Sequence, residues 1–251
     1  EAEALEHCRD ILFCARAIDR QPAVISMLVG SGTDELAAQT LWQILPTLHV
    51  NDPAARRAAV GLIANLLDDA AVREAAVRAV YAERAMRIDT VRRLAAGDVA
   101  ASGLLKQNDA EKFLGWWFAP VMEGELRSML TEITRQAQSA AAPDAPAAAQ
   151  ALNSAARVRS RLGTDALLHP LARALDVSLI RALQRTYQSQ SARRQVAADL
   201  AARLYEADRG RPPARVEDLV PAYLPRVPIE PMTGTAMRRT FVPATTQASP
   251  K

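Results

Sequence analysis

The stretch "VAADLAARLYEADRGRPPARVEDLVPAYLPRVPIEPMTG", residues 196 to 234, decides how this chain folds. Its first part reads as helix. Val196, Leu200 and Leu204 recur at four-residue steps, and alanines fill the positions between them. Ala loses no side-chain entropy in a helix and lets neighbouring helices approach closely. Gly210 permits the left-handed turn that ends a helix, and Pro212 and Pro213 forbid its continuation. Val216, Leu219 and Val220 form one short helical turn. "PAYLPRVPIEP" has four prolines in eleven residues, so it is extended and cannot sit in a central strand. Tyr223, Leu224, Val227 and Ile229 are apolar enough to pin this ribbon onto helices. The sequence therefore predicts a helical body over 1–210, a proline-rich clasp packed on it over 211–235, and a flexible tail over 236–251.

Upstream, the same helical period dominates. The last helix is expected over about 172–208, with Leu175, Leu179 and Leu183 also inward. Leu5, Cys8, Leu12, Ala15 and Ile18 mark a helix over 1–20. Ile25, Leu28, Val29, Leu36, Leu41 and Ile44 predict an apolar face running to Pro46, through Gly30 and Gly32, which would allow a close helix crossing. Asp52 caps the next helix with Pro53 at its first position, and Val60, Ile63, Leu66 and Leu67 are its expected buried stripe. Val72, Ala76, Val80, Met86, Ile88, Val91 and Leu94 follow, with Gly97 as the stop. "SAAAPDAPAA", 139–148, has the composition of an internal linker. The expected class is all-α, a bundle of about seven to nine helices. "PAARRAAV" at 53 and "AAVREAAV" at 70 resemble one another, but a helical solenoid needs about three stacked units and no third copy follows.

Composition agrees. With 49% apolar residues in 251, the chain buries a sizeable core, and 4% aromatics with few β-branched runs argue against a large sheet. The 31 basic and 28 acidic residues leave a net charge of only +3, too small an excess to serve as a nucleic-acid footprint by itself. Cys8 and Cys14 lie on different faces of one helix, cannot bridge each other, and are expected to be buried small hydrophobes. No run of about 20 apolar residues occurs, so nothing in this sequence reads as a membrane span.

Tyr205, Gly210, Pro213, Leu219, Pro221, Tyr223, Leu224, Pro228, Pro231, Thr233 and Gly234 match a recurring pattern. It is a tyrosine-bearing helix, a Gly-x-x-Pro turn, Leu-Val-Pro-x-Tyr-Leu and Pro-Asp-Pro-Phe-Thr-Gly. This segment is similar to the C-terminal part of type II secretion pseudopilins. It resembles still more closely uncharacterised bacterial extracytoplasmic α-helical proteins, many from planctomycetes and similar lineages. "RAIDRQPAVISMLVGSG", 16–32, is similar to their early segment. The resemblance covers 205–234 and, more loosely, 12–45. It implies an α-helical domain outside the cytoplasm, tethered by an N-terminal membrane helix. Residue 1 is Glu, and an apolar segment is expected before it. The chain departs from the pattern at Glu230, where Asp is usual, and at Met232, where an aromatic is usual. Its tail also lacks the Asp- and Gly-rich segment that supplies calcium ligands in some pseudopilins, so no metal and no cofactor is expected.

Catalytic constellations are weak. His7, His49 and His169 have no metal-ligand spacing. "GSGTDE", 30–35, follows no strand, which disfavours phosphate binding there. "FLGWWFAPVM" groups Phe113, Trp116, Trp117 and Phe118, which suits a core plug, a pocket lip or a membrane-interface contact. Glu123, Glu125 and Arg127 are the nearest polar groups. Three functions stay open. The first is a non-enzymatic interaction or scaffold protein with a protein partner, extracytoplasmic and membrane-tethered. The second is a small-ligand binder or enzyme with a pocket at Trp116, Trp117, Glu123, Glu125 and Arg127. The third is a nucleic-acid binder using the Arg-rich region 157–194.

Overall fold

A computed structural model describes residues 1–95, 131, 134–135, 137–148, 179–239 and 241. These residues are predominantly helical, as an all-α chain requires. The long helices are α1 (Ala2–Asp19), α2 (Val24–Ile44), α3 (Pro53–Leu67), α4 (Ala70–Ala95) and α5 (Leu179–Arg209). Short 3₁₀ turns occupy Leu45–Thr47 and Val216–Leu219. Strands β1 (Ile229–Glu230) and β2 (Thr235–Ala236) pair antiparallel into a minimal hairpin. The remainder of the expected seven to nine helices, Leu175, His169 and the stop at Gly97 lie outside the described residues.

Helices α2 and α3 each pack on both α1 and α5, which places α1 and α5 diagonally across a four-helix core. Leu5, Cys8, Leu12, Leu41, Leu62, Leu66, Val196, Leu200 and Leu204 fill that core. A second, smaller cluster joins Val24 and Met27 of α2 to Ala76, Ala79 and Val80 of α4, and to Ala137, Ala140, Ala182 and Leu183. The cap of α3 forms as its sequence dictates: Asp52 Oδ2 accepts from the Ala54 and Ala55 amides, each at 3.0 Å, with Pro53 at the first position.

The clasp continues this core. Val216, Leu219 and Leu224 are buried in it, with Val220, Tyr223 and Val227 packed alongside. Gly210 ends α5 with φ +71°, a conformation that costs glycine nothing. Tyr223 then folds back, donating its hydroxyl to Asp208 at 2.7 Å and meeting the Tyr205 ring edge-on at 5.6 Å between centroids. Of the clasp residues expected inward, Ile229 points out instead; β1 alternates, and its buried neighbours are Pro228 and Pro231.

Several other expectations need correction. Met237, expected in a flexible tail, is buried, Phe241 packs on the same core, and Arg239 pairs with Asp199 at 2.7 Å. The linker-like stretch 139–148 is held in place. Tyr187 donates its hydroxyl to the Ser139 and Ala142 carbonyls at 3.1 Å, and the Ala145 amide bonds the Pro231 carbonyl at 2.7 Å. Its alanines pack because small side chains suit a close approach, not because the segment is free. Val60 on α3 and Met86 on α4 are exposed, and alanines at 55, 58, 59, 75, 76 and 79 take the buried faces. Cys14 is exposed while Cys8 is buried, and both are free thiols; burial pushes the Cys8 thiol pKa up.

Candidate interaction surface

The largest departure is on α2, and its cause sits at the centre of the molecule. Arg193 of α5 is fully buried. Its Nη1 donates to Asp34 Oδ2 at 3.3 Å, and its Nη2 donates to the carbonyls of Asn65 and Asp68 at 3.2 and 2.8 Å. Arg16 of α1 donates to the same Asp34 oxygen at 3.1 Å and to Asp19 at 3.4 Å. Arg194 grips Asp69 with Nη2 at 2.6 Å and Nε at 3.0 Å, and reaches the Ile229 carbonyl of the clasp. Three arginines thus face three aspartates across α1, α2, α5 and the loop between α3 and α4. A buried charge is tolerated only when paired and hydrogen-bonded.

This cluster sets the rotation of α2. Asp34 must reach Arg193 and Arg16, and Ser31 meets Thr186 hydroxyl to hydroxyl at 3.4 Å. Gly30 faces α1 so closely that a Cβ there would lie 2.0 Å from an Asp19 carboxylate oxygen. Met27, Ala37, Ala38 and Leu41 complete the buried face. At 3.6 residues per turn the opposite face must then carry Ile25, Leu28, Val29, Gly32 and Leu36. They are exposed: Ile25 72%, Leu28 38%, Val29 50% and Leu36 54%, and a Cβ on Gly32 would meet nothing within 4 Å. The helix runs unbroken through both glycines, so Gly30 serves a close crossing and Gly32 does not.

The face carries no charge. The charged residues of α2 are Asp34, which is buried, and Glu35, which is bridged to Arg185 at 2.7 Å. Scattered exposed apolar residues are ordinary, whereas these lie in one row along a single helix.

Trp116, Trp117, Glu123, Glu125 and Arg127, the residues predicted to line a pocket, lie outside the described residues. The remaining tryptophan, Trp42, donates to Asp199 at 3.0 Å against the core. "GSGTDE" is mid-helix and presents no helix N-terminus to a phosphate. His7 lies exposed between Glu3 and Asp10. No cluster with metal-ligand composition occurs among the described residues, and no helix among them is long and apolar enough to cross a membrane. A polar cleft of about 240 Å³ lies between α5 and the β1–β2 hairpin, lined by Gln195, Glu230, Thr233, Thr235, Met237 and Arg239. Of its charged lining residues, Glu230 accepts from Ser191 at 3.0 Å and Arg239 holds Asp199, while Arg238 is exposed at the rim. From the Arg-rich region, Arg185, Arg193 and Arg194 are each engaged by a carboxylate.

Hydrophobicity alone assigns Ile25, Leu28, Val29 and Leu36 inward, so the exposed row is hidden in the sequence. A signal was present: Arg193 falls in the same inward row of α5 as Val196 and Leu200, and a charge there demands buried acceptors. Comparison with protein-family models, with curated proteins and with solved structures finds no match.

Proposed function

We propose that this chain is a non-enzymatic interaction or scaffold protein whose contact surface is the exposed apolar face of α2. The observation that carries this reading is the row Ile25, Leu28, Val29 and Leu36, held outward by the buried Asp34–Arg193 pair. The full bundle is read as about seven to nine helices closed by the clasp. The similarity of 205–234 to extracytoplasmic proteins supports a place outside the cytoplasm, tethered by a membrane segment in the full-length protein.

A photo-crosslinking residue at Val29 in the full-length protein, in its own cells, tests the contact. Adducts are expected at Val29 and absent at exposed Arg57 on α3. Equal yields at the two positions would overturn the reading. A membrane-impermeant maleimide tests the compartment through the exposed thiol of Cys14. Labelling in intact spheroplasts is expected; labelling that requires lysis would place the domain in the cytoplasm.

A further inference from the structure

We propose that the occupant of the α2 face is α2 of a second copy of this chain, packed antiparallel about a two-fold axis between residues 30 and 31. The inference rests on the interaction reading above and names its partner.

Ile25, Val29, Gly32 and Leu36 are all exposed and lie 4, 3 and 4 residues apart, the a/d seam of a coiled coil. That spacing reads the same in both directions. A two-fold antiparallel pairing in which facing residue numbers sum to 61 sets Ile25 against Leu36 of the second copy and Val29 against its Gly32. Each layer then matches shape: two branched side chains meet at the ends, and a branched side chain enters the hole left by a glycine in the middle. Facing large and small residues is what lets layers interdigitate. Gly32 has no other role in the fold, since nothing lies within 4 Å of where its Cβ would be. A two-fold interface needs one self-complementary patch, and this row is one.

Electrostatics agree. The row is uncharged and continues into Gln39 and Gln43, which are exposed and neutral, so two copies approach without repulsion. The N-terminus of α2 has no side-chain cap and no acid in its first turn, and its C-terminus has no base in the last. Parallel pairing would set two such uncompensated N-termini side by side, whereas antiparallel pairing opposes the dipoles. A lipid surface would favour basic residues flanking the row, and α2 has none.

The test uses the purified full chain in sedimentation equilibrium across a concentration series. Wild type is expected to shift from monomer to dimer mass. Leu36→Glu, which sets a charge into the seam, is expected to weaken that association by roughly tenfold or more with an unchanged helical spectrum. A second measurement reads register, in a Cys14→Ser background. Ile25→Cys mixed with Leu36→Cys is expected to form the mixed disulfide. Ile25→Cys alone is not, because its two copies lie about 16 Å apart along the pair at 1.5 Å per residue. Wild type that stays monomeric at every concentration overturns the second copy as partner. If Val29 adducts then form in cells with a different protein or with lipid, the contact surface stands and its partner is different. Rapid Ile25→Cys self-linking overturns the antiparallel register.

Discussion

Asp19 shows how the buried cluster constrains single residues. It ends α1 beside Gly30, within reach of Arg16 and near Asp34. Burial pushes its pKa from 3.8 up to about 6, with Arg16 opposing and Asp34 adding to the rise. A carboxyl whose folded pKa is raised binds its proton more tightly in the folded state. Its contribution is therefore favourable at low pH and is lost as pH rises from about 4 through about 6. Asp19→Asn removes that titration and keeps an oxygen for Arg16. The variant is expected to be more stable than wild type at pH 8, by up to about 3 kcal/mol, and to match it below about pH 4. Urea denaturation at a series of pH values measures the difference. A variant that loses stability at pH 8 would show that the ionised Asp19–Arg16 pair outweighs its burial.

At the scale of the element, α2 explains which parts of the fold were legible in sequence. Periodicity located α1, α2, α3 and the C-terminal end of α5, because Leu5, Leu12, Leu66, Leu200 and Leu204 are buried by the hydrophobic effect alone. It misread the rotation of α2, because apolar residues occupy two faces and the buried one is chosen by Asp34 and Gly30. Neither choice is visible without Arg193 and Asp19, which arrive from other helices. The two glycines separate cleanly in consequence. Gly30→Ala drives a methyl into the Asp19 carboxylate and is expected to cost about 1–3 kcal/mol. Gly32→Ala meets open space and is expected to gain up to about 1 kcal/mol from helix propensity, read at dilutions where the chain is monomeric. Thermal melts of both variants check the contrast, and equal effects would mean that both faces are packed.

For the molecule as a whole, the clasp is part of the core. Its proline punctuation was readable because Gly210, Pro212 and Pro213 dictate a helix stop locally. That Met237 and Phe241 would join the core was not, since nothing in their local sequence signals a distant groove. Deleting 211–251 removes Val216, Leu219, Leu224 and Met237 from the core. At roughly 1.5–3 kcal/mol per buried large apolar side chain, these four together contribute about 6–12 kcal/mol, comparable to the whole of the about 5–15 kcal/mol by which a native domain is stable. The truncated chain is expected to be unfolded or molten by near-UV circular dichroism. A cooperative melt at the full-length temperature would show that the clasp is dispensable.

α2 turns the face bearing Gly30, Asp34 and Leu41 inward and the row Ile25, Leu28, Val29 and Leu36 outward. Leu36 and Leu41 test this orientation most directly, being the same residue type on opposite faces of one helix, the first 54% and the second 0% exposed. Each is replaced by Glu, and unfolding free energies are measured at concentrations low enough to keep the chain monomeric. The predicted result is a change within about 0.5 kcal/mol for Leu36→Glu, as for an ordinary surface position, and loss of the folded state for Leu41→Glu. Unfolding by Leu36→Glu to the same extent as by Leu41→Glu would place the row in the core and contradict the interface built upon it.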